Sequence, residues 1–127
     1  MINKTYNLGA IEIFAEDVYL YTNQVNPSYK NKNLTWYDAN QFLESIKPSG
    51  DWRFPTYTEI AFLNREYRSM DLLNFSNSAY WIYDKELEEE TSEDWSIGYY
   101  FNRDGVEGRR GGIPKSERLC FRPVRSI

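Results

Sequence analysis

A chain of 127 residues has room for one domain, spanning residues 1–127. Its 41% hydrophobic and 17% aromatic content supports a packed core and excludes a disordered chain. A net charge of −4 argues against a dedicated nucleic-acid binder, and no apolar run approaches the ~20 residues of a membrane span.

In chain order, Ile11 and Ile13 alternate with Glu12, Glu16-Asp17 reads as a turn, and Val18 to Tyr21 reads as a second strand. Residues 23–33, rich in Asn, Pro, Ser and Lys, read as a loop. Thr35 then caps a helix, with Asp38 as a short-armed capping-box partner. Trp36, Ala39, Leu43 and Ile46 form its apolar stripe, and Pro48-Ser49-Gly50 stops it. In the next stretch, Asp51 to Ile60, Trp52 and Phe54 read as an extended anchor entering a core. Pro55 pushes Phe54 out of the α region, and Thr56 with Glu59 makes a capping box. A second helix follows from about Tyr57 to Ser69, with Ile60, Leu63, Tyr67 and Met70 on one face.

Ala79 to Tyr83 reads as a central strand with aromatics on both faces. The acidic run from Asp84 to Asp94 reads as a solvated loop. Trp95, Ile97, Tyr99 and Phe101 alternate with Ser96, Gly98 and Tyr100, so the former are expected inside and the latter outside. Asn102 to Gly105 is a turn, Gly108 to Gly112 a glycine-flexible loop, and Leu119 to Arg125 the last strand, with Pro123 demoting its end. Strands, two helices, then strands again make an α+β domain with helices on small antiparallel sheets.

No histidine is present, which removes the commonest general base and metal ligand. Glu59 reads as a helix cap rather than a catalytic acid, and the run 84–94 lacks the spacing of a calcium loop. Cys120, the single cysteine, can form no intrachain disulfide. It reads as a buried small hydrophobe, although Arg118 and Arg122 lie where they would activate a thiol. The expectation is therefore a non-enzyme with no cofactor and no metal. Without the apolar run of a signal peptide near Met1, a cytoplasmic location is expected, with a virion as the alternative.

Arg53, wedged between Trp52 and Phe54, reads as one half of a structural ion pair. Seven Arg and Lys residues fall between Asn102 and Ile127, against three carboxylates, while the rest of the chain is strongly acidic. Tyr and Arg are enriched in interface hot spots. The candidate binding residues are therefore Tyr83, Tyr100, Arg103, Asp104, Arg109 and Arg110. They are expected to meet a protein partner with an acidic surface, with carbohydrate as the other option. The alternative is that Arg109 and Arg110 only pair with the chain's own run Glu86 to Asp94.

Leu34-Thr35-Trp36-x-x-Ala39-x-x-Phe42-Leu43, Trp52-Arg53-Phe54-Pro55-Thr56-x-x-Glu59-Ile60, Tyr80-Trp81, Ser96 to Asn102 followed by Gly105, and Phe121-Arg122-Pro123-Val124-Arg125, taken in order, resemble stretches of the C-type-lectin-like domain superfamily. Within it the chain is similar to the C-terminal domain of the collagen-like adhesin (Lcl) family and to the formylglycine-generating (sulfatase-modifying) domain. The resemblance covers about residues 34–127 in the expected order. It implies a C-type-lectin-like fold with paired terminal strands, and a ligand face on the last strands and their loops. Trp36, Trp52, Arg53, Pro55, Glu59, Trp81, Arg122 and Arg125 would be its structural residues. The calcium-lectin tripeptides are absent and a cysteine pair is impossible, so neither calcium-dependent sugar binding nor oxidising activity is carried over. The reading is a binding module, first as an intracellular interaction factor of phage or mobile-element type. The alternatives are an adhesin-like module on a virion or cell surface and a minimal relative of the formylglycine-generating enzymes.

Overall fold

The computed structural model describes residues 4–18, 34–67, 75, 78–100 and 108–127. They form an α+β arrangement with two three-stranded antiparallel sheets. In chain order the elements are β1 (Thr5–Asn7), β2 (Ile11–Phe14), α1 (Trp36–Ile46), α2 (Tyr57–Tyr67) and β3 (Ala79–Ile82). A 3₁₀ helix (Lys85–Glu90), β4 (Trp95–Tyr100), β5 (Arg109–Pro114) and β6 (Val124–Ser126) follow.

The first sheet has the order β1-β2-β6 and closes the domain at its termini. Ile11 lies opposite Ser126 and Ile13 opposite Val124, so the paired terminal strands that the resemblance implies are found, but through Val124–Ser126 and not through the Cys120–Val124 stretch, of which only Val124 takes part. The hairpin partner of β2 is different from the one the sequence indicates. It is β1, joined through Gly9, whose φ of +101° suits a residue without a Cβ. The Asn7 side chain accepts from the Gly9 N–H at 2.8 Å. Val18 is not in a strand. It is buried and donates its N–H to the Phe121 carbonyl at 2.9 Å, while residues 19–33 lie outside the described set.

The stretch from Trp52 to Ile60 joins three parts of the fold. Arg53 and Val124 exchange both backbone hydrogen bonds, at 2.9 and 3.0 Å. The Pro55 carbonyl accepts from Tyr83 N–H at 2.9 Å, which ties the stretch to the end of β3. The capping box forms as expected: Glu59 N–H donates to Thr56 Oγ1 at 3.2 Å and Thr56 N–H to Glu59 Oε1 at 2.9 Å. The Arg53 guanidinium grips the same carboxylate through both oxygens, at 2.7 and 2.8 Å. At α1, Thr35 Oγ1 accepts from Asp38 N–H at 3.2 Å. The stripes Ala39-Leu43-Ile46 and Ile60-Leu63 are buried, whereas Met70 is outside the described residues.

The second sheet, in the order β3-β4-β5, is covered on both faces. Tyr80, Ile82, Ile97 and Tyr99 pack with Ile60 and Leu63 of α2. On the other side Trp81 packs in a second core with Ala39, Leu43 and Ile46 of α1, together with Trp52 and Phe121. This overturns the expected in–out alternation of β4. Ser96 and Gly98 are buried along with Ile97 and Tyr99, and Trp95 and Tyr100 at the strand's two ends are exposed. The physical reason is close approach: a Cβ on Gly98 would sit 2.8 Å from both Ile113 Cγ1 and Leu119 Cδ2. Phe101 lies outside the described residues.

Three further expectations are corrected. The run after Tyr83 is no plain loop but a 3₁₀ helix, capped by the Asp84 side chain accepting from Glu86 N–H at 3.0 Å. Residues 109–114 form strand β5 rather than a glycine loop. The last strand is broken: Leu119 bridges Leu34 and Cys120 bridges Tyr80, and only from Val124 does β6 begin. Pro123, which has no N–H to give a ladder, sits at the crossing from one sheet to the other.

The Glu59 site gives a pH prediction. Burial alone would push its carboxyl up, but the Arg53 bonds and the Thr56 N–H outweigh it and hold it below the usual carboxylate range. Glu12 is held down likewise, first by the Thr5 hydroxyl and then by Arg125. A carboxylate with a lowered folded-state pKa contributes stability above its unfolded value, about 4.3, and loses it as pH falls through the folded value. Melting temperature is therefore expected to hold from neutral pH to about 5 and to fall below about 4.3. Glu59→Gln should cost about 1 kcal/mol at pH 7, the charge part being screened by the partial exposure of Arg53, and should flatten the acid limb. A Glu59→Gln melting curve that runs parallel to the parent's at every pH would sink this account.

Candidate binding face

The ladder between β4 and β5 decides where the candidate residues point. Tyr99 lies opposite Arg110, and Tyr100 opposite Arg109. Side chains alternate across a strand, so neighbouring arginines go to opposite faces of the sheet.

Arg110 is on the α2 side. Its guanidinium lies 3.8 Å from the centre of the Tyr57 ring, which in turn packs against Tyr99 with ring centres 5.9 Å apart. It donates to Asp84 Oδ2 at 2.6 Å and to Glu86 Oε2 at 2.9 Å. Burial works against its charged form, but the Glu86 bond and the nearby Asp84 charge prevail and raise its pKa. Asp84 is buried, so this bridge fastens the 3₁₀ helix to β5. Together with Tyr57, Tyr83 and Lys85, these three residues line an open cleft of about 510 Å³ at the start of α2.

Arg109 and Tyr100 are on the α1 side, directly opposite each other and both exposed, Tyr100 at 56%. Ile113 on the same row packs against the second core, and the Lys115 ammonium lies 3.9 Å from the centre of the Trp36 ring. Neither Arg109 nor Lys115 makes an ion pair with a described residue.

Of the six candidate binding residues, then, Tyr83 and Arg110 meet at the cleft. Tyr100 and Arg109 meet on the other face, and Arg103 and Asp104 lie outside the described residues. The expectation that Arg110 stands free on a loop is corrected: its charge is matched by Asp84 and Glu86, the first residues of the chain's own acidic run.

Comparison with protein families, with curated proteins and with solved structures finds no match.

The residues assigned structural roles make the following contacts. Trp81 is buried and its Nε1–H donates to the Leu34 carbonyl at 2.8 Å. Trp36 stacks on Phe54 at 5.9 Å with ring planes 8° apart. Arg122 is 1% exposed and donates through Nε to Asp17 Oδ1 at 2.8 Å. Arg125 bonds Glu12 at 2.6 Å and lies 4.8 Å from the centre of the Trp52 ring.

Sequence reading missed Asp17, Trp95 and Tyr37. Asp17 looked like a turn residue and is a buried acceptor for Arg122 and for the Tyr80 hydroxyl. Trp95 looked internal and is exposed, and Tyr37 is exposed on α1 with its hydroxyl donating to the Glu93 carbonyl at 3.2 Å. An acidic segment just before Trp95 was the one available signal that this end of the strand emerges into solvent. Cys120 is a buried thiol, as expected. Among the described residues no group of three or more Cys, Asp and Glu side chains is arranged to hold a metal ion, and no helix is long and apolar enough to cross a membrane.

Proposed function

We propose that this chain is a non-enzymatic protein-binding module of C-type-lectin-like fold that engages its partner through the β4–β5 end of the second sheet. The observation that carries the reading is the exposed pair Tyr100 on β4 and Arg109 on β5, opposite each other across the ladder at the end of the sheet. Tyr and Arg are enriched among the few residues that dominate interface energies, so an exposed pair of this kind is a fitting anchor. Arg109 is also a cation without a carboxylate partner among the described residues, in a chain of net charge −4. That supports an acidic partner surface and association that is faster at low salt. The superfamily reading is supported by the paired terminal strands and by the way Trp52 to Ile60 ties both sheets to α2. An intracellular interaction factor is the form of this function that a chain with one buried cysteine fits best.

A double Tyr100→Ala, Arg109→Ala variant tests the reading. It should melt with the parent, because neither side chain is buried. It should bind the protein that the parent captures, once that protein is identified, about 10- to 100-fold more weakly. Tyr37→Ala, on α1, should leave the affinity unchanged. Full affinity in the double variant places the binding face elsewhere.

A further inference from the structure

The two outer edges of the second sheet are treated differently. Along β3 the outward backbone groups find partners: Trp81 N–H donates to the Cys120 carbonyl at 3.0 Å, and Ala79 O accepts from Cys120 N–H at 2.9 Å. Tyr83 N–H donates to Pro55 and Tyr83 O accepts from Tyr57 N–H at 3.0 Å. The far edge, β5, has no such cover among the described residues.

Which groups β5 exposes follows from the ladder. Lys115 N–H donates to Asp94 O at 2.8 Å, and in an antiparallel pair hydrogen-bonded and non-bonded positions alternate. Arg109, Gly111 and Ile113 therefore bond to β4, and the N–H and C=O groups of Arg110 and Gly112 point away from the sheet. Pro114, with no N–H, occupies the next outward position, as that alternation requires. Natural proteins guard such edges with lysine, proline, bulges or covering loops. Here Pro114 and Lys115 guard only the end. At the centre Gly111 and Gly112 carry no side chain. A Cβ at Gly111 would meet nothing within 4 Å, and the Arg110 side chain is drawn away into its bonds with Asp84 and Glu86.

The charge on the edge favours one kind of occupant. The described cations that make no ion pair with a described residue are Lys4, Lys85, Arg109, Lys115 and Arg118, and three of the five lie on β5 or in the turn after it. Arg109 and Lys115 share the α1-side row of the strand, with Ile113 between them.

We infer that the open edge of β5 takes up an extended acidic segment of a partner protein by strand addition. Main-chain bonds to Arg110 and Gly112 hold the added strand, and carboxylates on alternate residues meet Arg109 and Lys115. This rests on the binding-module reading and names how that face would bind.

The probe is an eight-residue peptide alternating glutamate with valine, with a lysine-for-glutamate counterpart. In the protein alone, amide exchange by NMR should be fast at Arg110 and Gly112 and slow at Gly111 and Ile113. The acidic peptide should protect Arg110 and Gly112, and the lysine peptide should not. Gly112→Pro removes one outward N–H and leaves the β4 ladder untouched, so binding should weaken about tenfold or more with melting little changed. Arg109→Glu, which needs no backbone adjustment, should shift preference toward the lysine peptide.

Three results overturn the inference: no protection at Arg110 and Gly112, equal protection by both peptides, or protection that grows with protein concentration alone. The last would assign the edge to a second copy of the chain. If Gly112→Pro still binds the natural partner while the Tyr100→Ala, Arg109→Ala variant does not, strand addition fails and the binding-face reading stands. If both variants bind it fully, the face itself is wrong.

Discussion

Trp52→Ala is expected to destabilise the protein by about 3–5 kcal/mol, a large share of the 5–15 kcal/mol usual for a domain. Trp52 is 7% exposed and meets the Phe14 ring edge-to-face, with centres 4.8 Å apart. The Arg125 guanidinium, also bonded to Glu12, lies 4.8 Å from the centre of the indole. The indole thus joins β2, β6 and the second core, and its removal leaves a cavity that these backbone-paired elements cannot easily close. Trp52→Phe separates ring packing from polar contact. The Trp52 Nε1–H is buried and has no hydrogen-bond partner among the described residues, so losing it removes no bond. The phenylalanine variant should therefore cost less than half as much as the alanine variant. Urea unfolding of both variants checks this. An alanine variant within about 1 kcal/mol of the parent would remove Trp52 from its place as the anchor of the stretch.

The second large effect is expected at Asp17. Its carboxylate accepts from Arg122 Nε at 2.8 Å and from the Tyr80 hydroxyl at 3.0 Å, all three residues being buried. Removing one member of a buried ion pair costs about 3–5 kcal/mol, because the remaining charge keeps its desolvation penalty and loses its attraction. Asp17→Ala should cost that much. Replacing both charges, as in Asp17→Ala with Arg122→Met, should recover part of the loss, since the penalty of the buried guanidinium goes with it. Additive losses in the double variant would mean that the two side chains contribute independently.

These two sites also show where sequence and tertiary structure divide. Trp52 could be placed by reading alone, because its neighbours specify its surroundings. Pro55 fixes an extended entry, and Thr56 and Glu59 bond across three residues, within a single turn. The same holds for the Thr35 cap, for the stripes of α1 and α2, and for the α+β order of elements. The partner of Arg53 needed the structure, although Glu59 is only six residues away, because the guanidinium reaches it across the start of a helix.

Contacts between distant segments were out of reach. Asp17 and Arg122 are 105 residues apart, and nothing local to Asp17 distinguishes a buried acceptor from a turn residue. The alternation in β4 pointed to one buried face, because a strand's own pattern cannot register a second helix on its other side. Gly98, small enough for that crowding, stood among the residues expected outside. At the candidate face, the sequence offered Tyr100, Arg109 and Arg110 as candidates with nothing local to tell the two arginines apart. Only the register of β4 with β5 separated the two arginines, sending Arg110 to Asp84 and Glu86 and leaving Arg109 beside Tyr100. Caps, turns and stripes are set by interactions a few residues long, so the sequence by itself determined them. Burial on both faces, ion pairs across the fold and a β5 edge without cover among the described residues are set by which distant segments meet, and only the tertiary structure decided those.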